Sequence, residues 1–126
     1  MRYRFAHKTG VYGVEIVETH QDQVLIKVMQ VIKHPKQGDL HHPNEVEGVF
    51  FHERKALSLY EKRYTSKSKL KPFEEKEIPY PTSLQHALTA LEEQLKSEQT
   101  SFNEKSLECL KALKIDYERQ YKRKFD

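Results

Sequence analysis

The sequence predicts an α+β fold in a single domain of residues 1–126, with a small antiparallel β-barrel over 1–78 and a C-terminal antiparallel helix pair over 82–123. Three observations support this prediction. Short segments rich in β-branched residues fill the first half, as is typical of strands. Pro79 and Pro81 then interrupt any regular element. Leucines at helical spacing fill the remainder.

Two strands are predicted first, over 11–18 and 24–32, because both segments are rich in valine and isoleucine. The polar stretch 19–23 between them is short enough for a hairpin loop, so the two strands should pair antiparallel. Gly10 and Gly13 bracket Val11 and Tyr12, which predicts a β-bulge or a close approach of the backbone near the start of the first strand.

Two further strands are predicted over 56–64 and 70–73. Within the first of these, Leu57 and Leu59 fall on one face. The polar quartet 65–68 between the two strands suits a tight turn. Several short strands in half of so small a chain favour a strongly bent barrel.

The first helix is predicted over 83–97, with Thr82 or Ser83 as its N-cap. Its leucines recur every three or four residues and therefore share one face. They are Leu84, Leu88, Leu91 and Leu95.

The second helix is predicted over 102–122, where Ser101 and Glu104 match the spacing of a capping box. Because the connection between the two helices is short, we expect them to pack antiparallel. The apolar stripe of the second helix consists of Leu107, Leu110, Leu113, Tyr117 and Tyr121.

Composition excludes several classes of protein. The net charge of +3 is too small to indicate a nucleic-acid partner by itself. Cys109 is the only cysteine, so no intramolecular disulfide can form, and its helical context predicts a small buried apolar residue.

No segment approaches the ~20 apolar residues of a membrane span, and residues 1–10 lack the apolar core of a signal peptide. We therefore expect a cytoplasmic protein without direct membrane insertion.

A histidine-rich segment suggests metal binding as one interpretation. Imidazole and carboxylate groups bind zinc or iron, and His34, Asp39, His41 or His42, and His52 supply such groups. However, no pair of these residues has the i, i+4 spacing that places two ligands on one helical face. We therefore predict no metal site.

The same side chains could act as a general acid and base near neutral pH. No nucleophile motif and no phosphate-binding glycine loop accompanies them, and the chain contains only four glycines. We therefore predict that the protein is not an enzyme and has no catalytic residues and no cofactor.

Two other interpretations of the loop stay open. In the first, Pro35 and Pro43 stiffen it and Gly38 supplies a turn, so that its role is structural. In the second, the stiff loop and the adjacent Phe50 and Phe51 form a protein-binding surface, because aromatic and arginine side chains carry most interface energy. The predicted partner-binding residues are His34, Pro35, Gly38, Asp39, His41, His42, Pro43, Phe51, His52, Glu53 and Arg54.

Basic residues between 54 and 71, with Tyr60 and Tyr64 among them, suggest an alternative function as an RNA- or ribosome-associated binding module. Acidic residues scattered through the same region favour a mixed solvated surface instead, so nucleic acid is not the partner we favour. A homodimer is compatible with the aromatic content, although no residue specifies it. The acidic residues are Glu53, Glu61, Glu74, Glu75 and Glu77.

Several segments, taken in order, resemble the kinase-associated protein B family, a small family of sporulating bacilli. The segments are GVYGVEI, VLIKVMQVIKHPKQGDLHHP, FFHERKAL, a Lys-Pro-aromatic segment, EIPYPTSLQHAL and KSLECLKALKIDY. The resemblance covers roughly residues 12–117, and HPKQGDLHHP and FFHERKAL are its most specific parts.

The resemblance implies an SH3-like barrel followed by helices, which agrees with the elements above. It also implies a role in the phosphorelay that starts sporulation, as a non-catalytic accessory protein of a membrane sensor histidine kinase. The expected partner is therefore such a kinase or another phosphorelay protein, which would recruit the chain to the membrane. The family is sometimes called a lipoprotein, but Cys109 lies within a predicted helix and does not fit a lipid-bearing N-terminal cysteine.

Overall fold

The computed structural model describes residues 1–38, 47 and 51–125. In this part of the chain, five strands and two α-helices are present. They are β1 (Tyr3–His7), β2 (Gly10–His20), β3 (Gln23–Lys33), β4 (Lys62–Ser66), β5 (Lys71–Pro72), α1 (Tyr80–Lys96) and α2 (Ser101–Tyr121). A 3-10 turn, Lys67–Lys69, connects β4 to β5.

The chain groups into two compact units. The first unit contains Met1–Pro35 and Ala56–Ala87, and therefore holds the strands and the first half of α1. The second unit contains Lys36–Lys55 and Leu88–Asp126. The assignment of the whole chain to a single domain stays a prediction.

The five strands form one antiparallel sheet in the order β4-β3-β2-β1-β5. The predicted hairpin of β2 and β3 is confirmed, and register shifts at Val11/Tyr12 and Gly13/Val14 confirm the predicted bulge. The sequence did not indicate β1, which is short and contains no β-branched residue. In the described part of the chain, β4 and β5 are the two edges of the sheet, so the closure of a barrel is not confirmed.

The core of the first unit follows from the alternation of β3. Val24, Ile26 and Val28 are fully buried, while the residues between them lie on the opposite face. Each such side chain contributes ~1.5–3 kcal/mol when it leaves water. The other buried apolar residues of this unit are Phe5, Tyr12, Val14, Val31, Ala56, Leu57, Tyr80, Leu84 and Ala87.

The prediction of a strand over 56–64 is wrong for its first six residues, because β4 begins only at Lys62. The backbone N–H of Leu57 donates to the Tyr12 hydroxyl at 3.2 Å, and the Tyr80 hydroxyl donates to the Leu57 carbonyl. Two buried phenols therefore take the place of a neighbouring strand. Burial raises the pKa of Tyr12 to about 12, so this hydroxyl stays protonated.

The start of α1 also differs from the prediction, since the helix begins at Tyr80 and contains Pro81 in its first turn, where proline is tolerated. Neither Thr82 nor Ser83 is the N-cap, because both lie inside the helix. The Ser83 hydroxyl donates to the Tyr80 carbonyl at 2.7 Å and accepts from the Val31 N–H at 2.9 Å, which connects the helix to β3.

Two smaller differences concern the capping of α2 and the fourth strand. Thr100, one residue before the predicted cap Ser101, is the N-cap and accepts from the Asn103 N–H at 3.0 Å. Both residue types cap well, so the sequence does not separate them. The predicted strand 70–73 is confirmed in the shorter form Lys71–Pro72.

Substitution Tyr80→Phe tests the role of the buried phenols. We expect a loss of ~1–3 kcal/mol in the free energy of unfolding, because the Leu57 carbonyl loses this donor in the core. Urea denaturation measures the loss, and Tyr64→Phe, at an exposed position, is the control. Equal stability of the two variants would show that the Tyr80 hydroxyl does not hold this segment.

Candidate partner-binding site

The two described ends of the histidine-rich loop are held together by backbone and side-chain hydrogen bonds. The Gly38 N–H donates to the His52 carbonyl at 2.8 Å. The Gln37 side chain donates from Nε2 to the Arg54 carbonyl at 2.9 Å, and its Oε1 accepts from the Arg54 N–H at 2.8 Å. We call the paired residues 37–38 and 51–54 the loop neck.

The side chain of Gln37 suits this position because an amide carries both a donor and an acceptor, as a peptide unit does. It therefore satisfies both backbone groups of Arg54, as a neighbouring strand would. Gln37 is only 4% exposed, and hydrogen bonds in such a water-poor site are stronger than at the surface. The neck is consequently a fixed feature of the second unit.

Arg54 closes the neck with its own side chain, since its Nε donates to the Gly38 carbonyl at 3.1 Å. Its side chain is half-buried. The guanidinium therefore supports the neck from within, and only part of it faces solvent.

Aromatic packing fixes the neck against α2. The ring of Phe51 lies edge-on to Phe102, with centroids 5.4 Å apart, and the Lys105 Nζ lies 5.6 Å from the centroid of Phe51. Gly38 has a φ of +101°, and a Cβ there would lie 3.0 Å from Phe102 and 3.1 Å from Phe51. Only glycine combines this backbone conformation with so close an approach of two rings.

The structure separates the predicted site residues by exposure. His52 and Glu53 are exposed, whereas Phe51 and Arg54 are half-buried and Gly38 is buried in the same unit. The remaining predictions on this segment, together with Phe50, fall on residues outside the described part of the chain. These residues are Asp39, His41, His42 and Pro43.

His34 and Pro35 belong to the first unit, and both are buried. The His34 Nδ1 donates to the Pro35 carbonyl at 2.9 Å. Burial lowers the pKa of His34 to about 4, against the opposing effect of that hydrogen bond. The imidazole is therefore neutral at physiological pH and occupies an internal position.

No group of three or more potential metal ligands occurs within residues 1–38, 47 and 51–125. Cys109 is half-buried within α2, and burial raises the pKa of its thiol, so the thiolate population is small. Over the same described residues, no helix combines the length and apolar content of a membrane span.

Two residues of the site escaped the sequence analysis. Gln37 is a polar residue between Lys36 and Gly38, and no pattern distinguishes it from a solvated side chain. Phe102 precedes the apolar stripe of α2, which begins at Leu107. Because Phe102 is an aromatic residue outside the stripe, it could have indicated a second contact surface on the helix.

The fold and the neck define an α+β protein in which a five-stranded sheet precedes two helices, and residues 37–38 are bonded to residues 52–54. Residues 7–118 match the family model described as Kinase associated protein B. The chain therefore belongs to the kinase-associated protein B family, as the sequence resemblance predicted.

Two relatives show how closely the chain follows this family. The chain is 37% identical over 111 residues to the Kinase-associated lipoprotein B of Bacillus subtilis (strain 168), which covers 88% of this chain and 87% of that protein. The crystal structure of kinase-associated protein B from Bacillus cereus is similar with a TM-score of 0.74 and 29% sequence identity. That similarity covers 93% of this chain and 94% of the other.

Substitution Gln37→Leu tests the neck. We expect a loss of ~2–4 kcal/mol in the free energy of unfolding, because the substitution removes the hydrogen-bond partner from a backbone donor and a backbone acceptor of Arg54. Urea denaturation measures this, with Gln120→Leu on the exposed face of α2 as the control. A loss no larger than that of the control would contradict the bridging role of Gln37.

The lowered pKa of His34 predicts a pH dependence of stability. The unfolded chain takes up a proton on this residue below its ordinary pKa of 6.5, while the folded chain resists protonation down to about 4. The free energy of unfolding is therefore unaffected by protonation of His34 above pH 6.5. It falls by ~1.4 kcal/mol per pH unit as the pH falls from 6.5 to 4.

Urea denaturation at pH 7, 6 and 5 measures this loss. In His34→Gln, which cannot titrate, the stability should fall less steeply over the same interval, whatever its absolute value at pH 7. Parallel pH profiles for the two proteins would show that His34 does not couple folding to protonation.

Proposed function

We propose that this protein is a non-catalytic accessory protein of a sensor histidine kinase in the phosphorelay that leads to sporulation. It acts by binding the kinase or another phosphorelay protein. Membership of the kinase-associated protein B family supports this proposal, as does the name of its Bacillus subtilis relative, Kinase-associated lipoprotein B. The proposed location is the cytoplasm, where the partner recruits the chain to the membrane.

The loop neck is the observation that carries the proposal. Its hydrogen bonds fix the base of a long loop, and a surface that is ordered before binding loses less conformational entropy in a complex. His52 and Glu53 are exposed on this fixed base, and both side chains can form polar contacts with a partner. Asp39, His41, His42 and Pro43, which fall outside the described residues, complete the set of proposed contact residues.

The buried and half-buried residues have a supporting role in this proposal. Gly38 allows the close approach of Phe51 and Phe102, and Arg54 is bonded to the neck. Substitution of Phe51 or Arg54 by alanine would therefore disturb the neck itself. Loss of binding by such variants would not identify a contact residue.

We further propose that the sheet of the first unit bends towards an SH3-like barrel. Three features support this. A 3-10 turn separates β4 from β5, and β5 pairs with β1. The charges of Arg63 on β4 and Lys69 in the 3-10 turn add to burial in lowering the pKa of His7 at the end of β1. This coupling is consistent with a sheet that bends so that the ends of β1 and β4 approach each other.

A binding protein changes kinase activity only if it binds two kinase conformations with different affinities. The proposed mechanism is therefore a shift of an existing conformational equilibrium. It requires no reaction on this chain and no cofactor.

The double variant His52→Ala, Glu53→Ala tests the proposed surface. The cytoplasmic regions of the host's sensor histidine kinases are immobilised, and capture of the full chain is titrated. We expect at least tenfold weaker capture, equivalent to ~1.4 kcal/mol, because two exposed polar side chains are removed while every atom of the Gly38–His52 backbone bond and of the Gln37–Arg54 bonds is kept.

The matched control is His20→Ala, Glu18→Ala, which removes an exposed histidine and glutamate that pair with each other at 3.0 Å on β2. This control should retain full capture. Equal capture by both double variants and the unsubstituted protein would refute the neck as the kinase-binding surface.

A further inference from the structure

A second surface lies on the first unit, where two tyrosines are exposed beside lysines of β3 and β4. Tyr60 is 58% exposed and Tyr64 is 61% exposed. With Lys27 and Lys62 they form what we call the tyrosine–lysine face. It shares no residue with the loop neck, and the kinase proposal makes no use of it.

The strand register places these side chains on the same side of the sheet. Lys62 lies opposite Lys27, and Tyr64 lies opposite Leu25. Residues opposite each other in an antiparallel pair share one face. The Lys27 Nζ lies 5.5 Å from the centroid of the Tyr60 ring, which brings that ring to the same face.

Tyr60 is held in an unfavourable backbone conformation. Its φ is +68°, in the left-handed region that non-glycine residues seldom adopt. Its N–H donates to the Val28 carbonyl at 2.8 Å, and the Val28 N–H donates to the Glu61 carbonyl at 2.9 Å. The strain maintains a large ring in solvent, where it adds nothing to the core. Strain of this kind is concentrated at functional sites.

Positive charge is concentrated in the segment of the chain that carries these rings. Residues 60–72 contain five lysines and arginines and one acidic residue, a net charge of +4. The whole chain carries +3, so all other residues together sum to −1. The five basic residues are exposed, and they are Lys62, Arg63, Lys67, Lys69 and Lys71.

Several of the acidic residues that favoured a mixed surface form ion pairs with arginines. Glu75 pairs with Arg4, and the Glu77 carboxylate lies 3.6 Å from the Arg2 guanidinium. Glu61 pairs with one of the basic residues at 3.1 Å, and Glu74 is exposed beyond β5. These glutamates therefore neutralise less of the basic surface than their positions in the sequence suggest.

We propose that the tyrosine–lysine face binds single-stranded nucleic acid. Unpaired bases stack on the rings of Tyr60 and Tyr64, since every base presents a flat π-face. The phosphates contact the surrounding lysines and arginines, with release of counterions. Two exposed rings beside this charge favour a single strand over a duplex, whose bases are already stacked, and over an anionic membrane, which offers charge without bases.

Fluorescence anisotropy of a labelled 20-nucleotide oligouridylate, titrated with the full chain at 50 mM salt, tests the proposal. We expect saturable binding that weakens about tenfold in each of Tyr60→Ala and Tyr64→Ala. The double variant Lys27→Gln, Lys62→Gln, whose two residues lie on the face of the rings, should reduce the slope of log K against log salt concentration by about 1.4, since each phosphate contact contributes about 0.7 for a single strand.

Matched controls on α2 separate this effect from general loss of charge or apolar surface. Ile115→Ala removes an exposed side chain, and Lys111→Gln, Lys114→Gln removes two positive charges. The first control should leave the affinity unchanged and the second should leave the salt slope unchanged. Far-UV circular dichroism confirms that each variant is folded.

Three outcomes would overturn the proposal. The first is no binding at 50 mM salt, and the second is binding that both tyrosine substitutions leave unchanged. The third is equally strong binding to phosphatidylglycerol vesicles through the same residues, which would assign the face to a membrane surface. Kinase capture is measured separately on the neck variants, so failure of either proposal leaves the other intact.

Discussion

The bridge between Gln37 and Arg54 is the interaction on which the proposed binding surface depends. A buried amide supplies the donor and the acceptor that Arg54 would otherwise obtain from a strand. Glutamate would lack the donor, and lysine would lack the acceptor. Because the bridge fixes the direction of the chain after residue 51, Phe51 packs on α2 while His52 and Glu53 face solvent.

The same principle holds elsewhere in the chain, because buried backbone groups that no neighbouring strand satisfies require other partners. Two phenols satisfy Leu57, and the hydroxyl of Ser83 satisfies Val31. These side chains are polar, buried and distant in sequence from the groups they bind. They allow the backbone to depart from regular structure at fixed points, and such departures determine where the exposed side chains lie.

The sequence predicted those strands and helices whose pattern of apolar residues lies within one short segment. β2, β3 and the leucine stripes of the helices were predictable because side-chain periodicity is visible in the sequence. The irregular path before β4 was not, because the partner of Leu57 lies 45 residues away at Tyr12. Arg54 and Phe51 were predicted as partner contacts from their residue types alone. Periodicity does not show whether such a side chain faces solvent or, as here, also supports the loop neck.

The most direct test of the neck as the partner-binding surface is amide hydrogen exchange of the full chain, with and without a bound cytoplasmic kinase region. Exchange reports protection residue by residue and requires no substitution. If the kinase binds at the neck, residues 51–55 gain protection in the complex and residues 60–66 are unchanged. Added protection confined to 60–66, with 51–55 exchanging as in the free chain, would contradict binding at the neck.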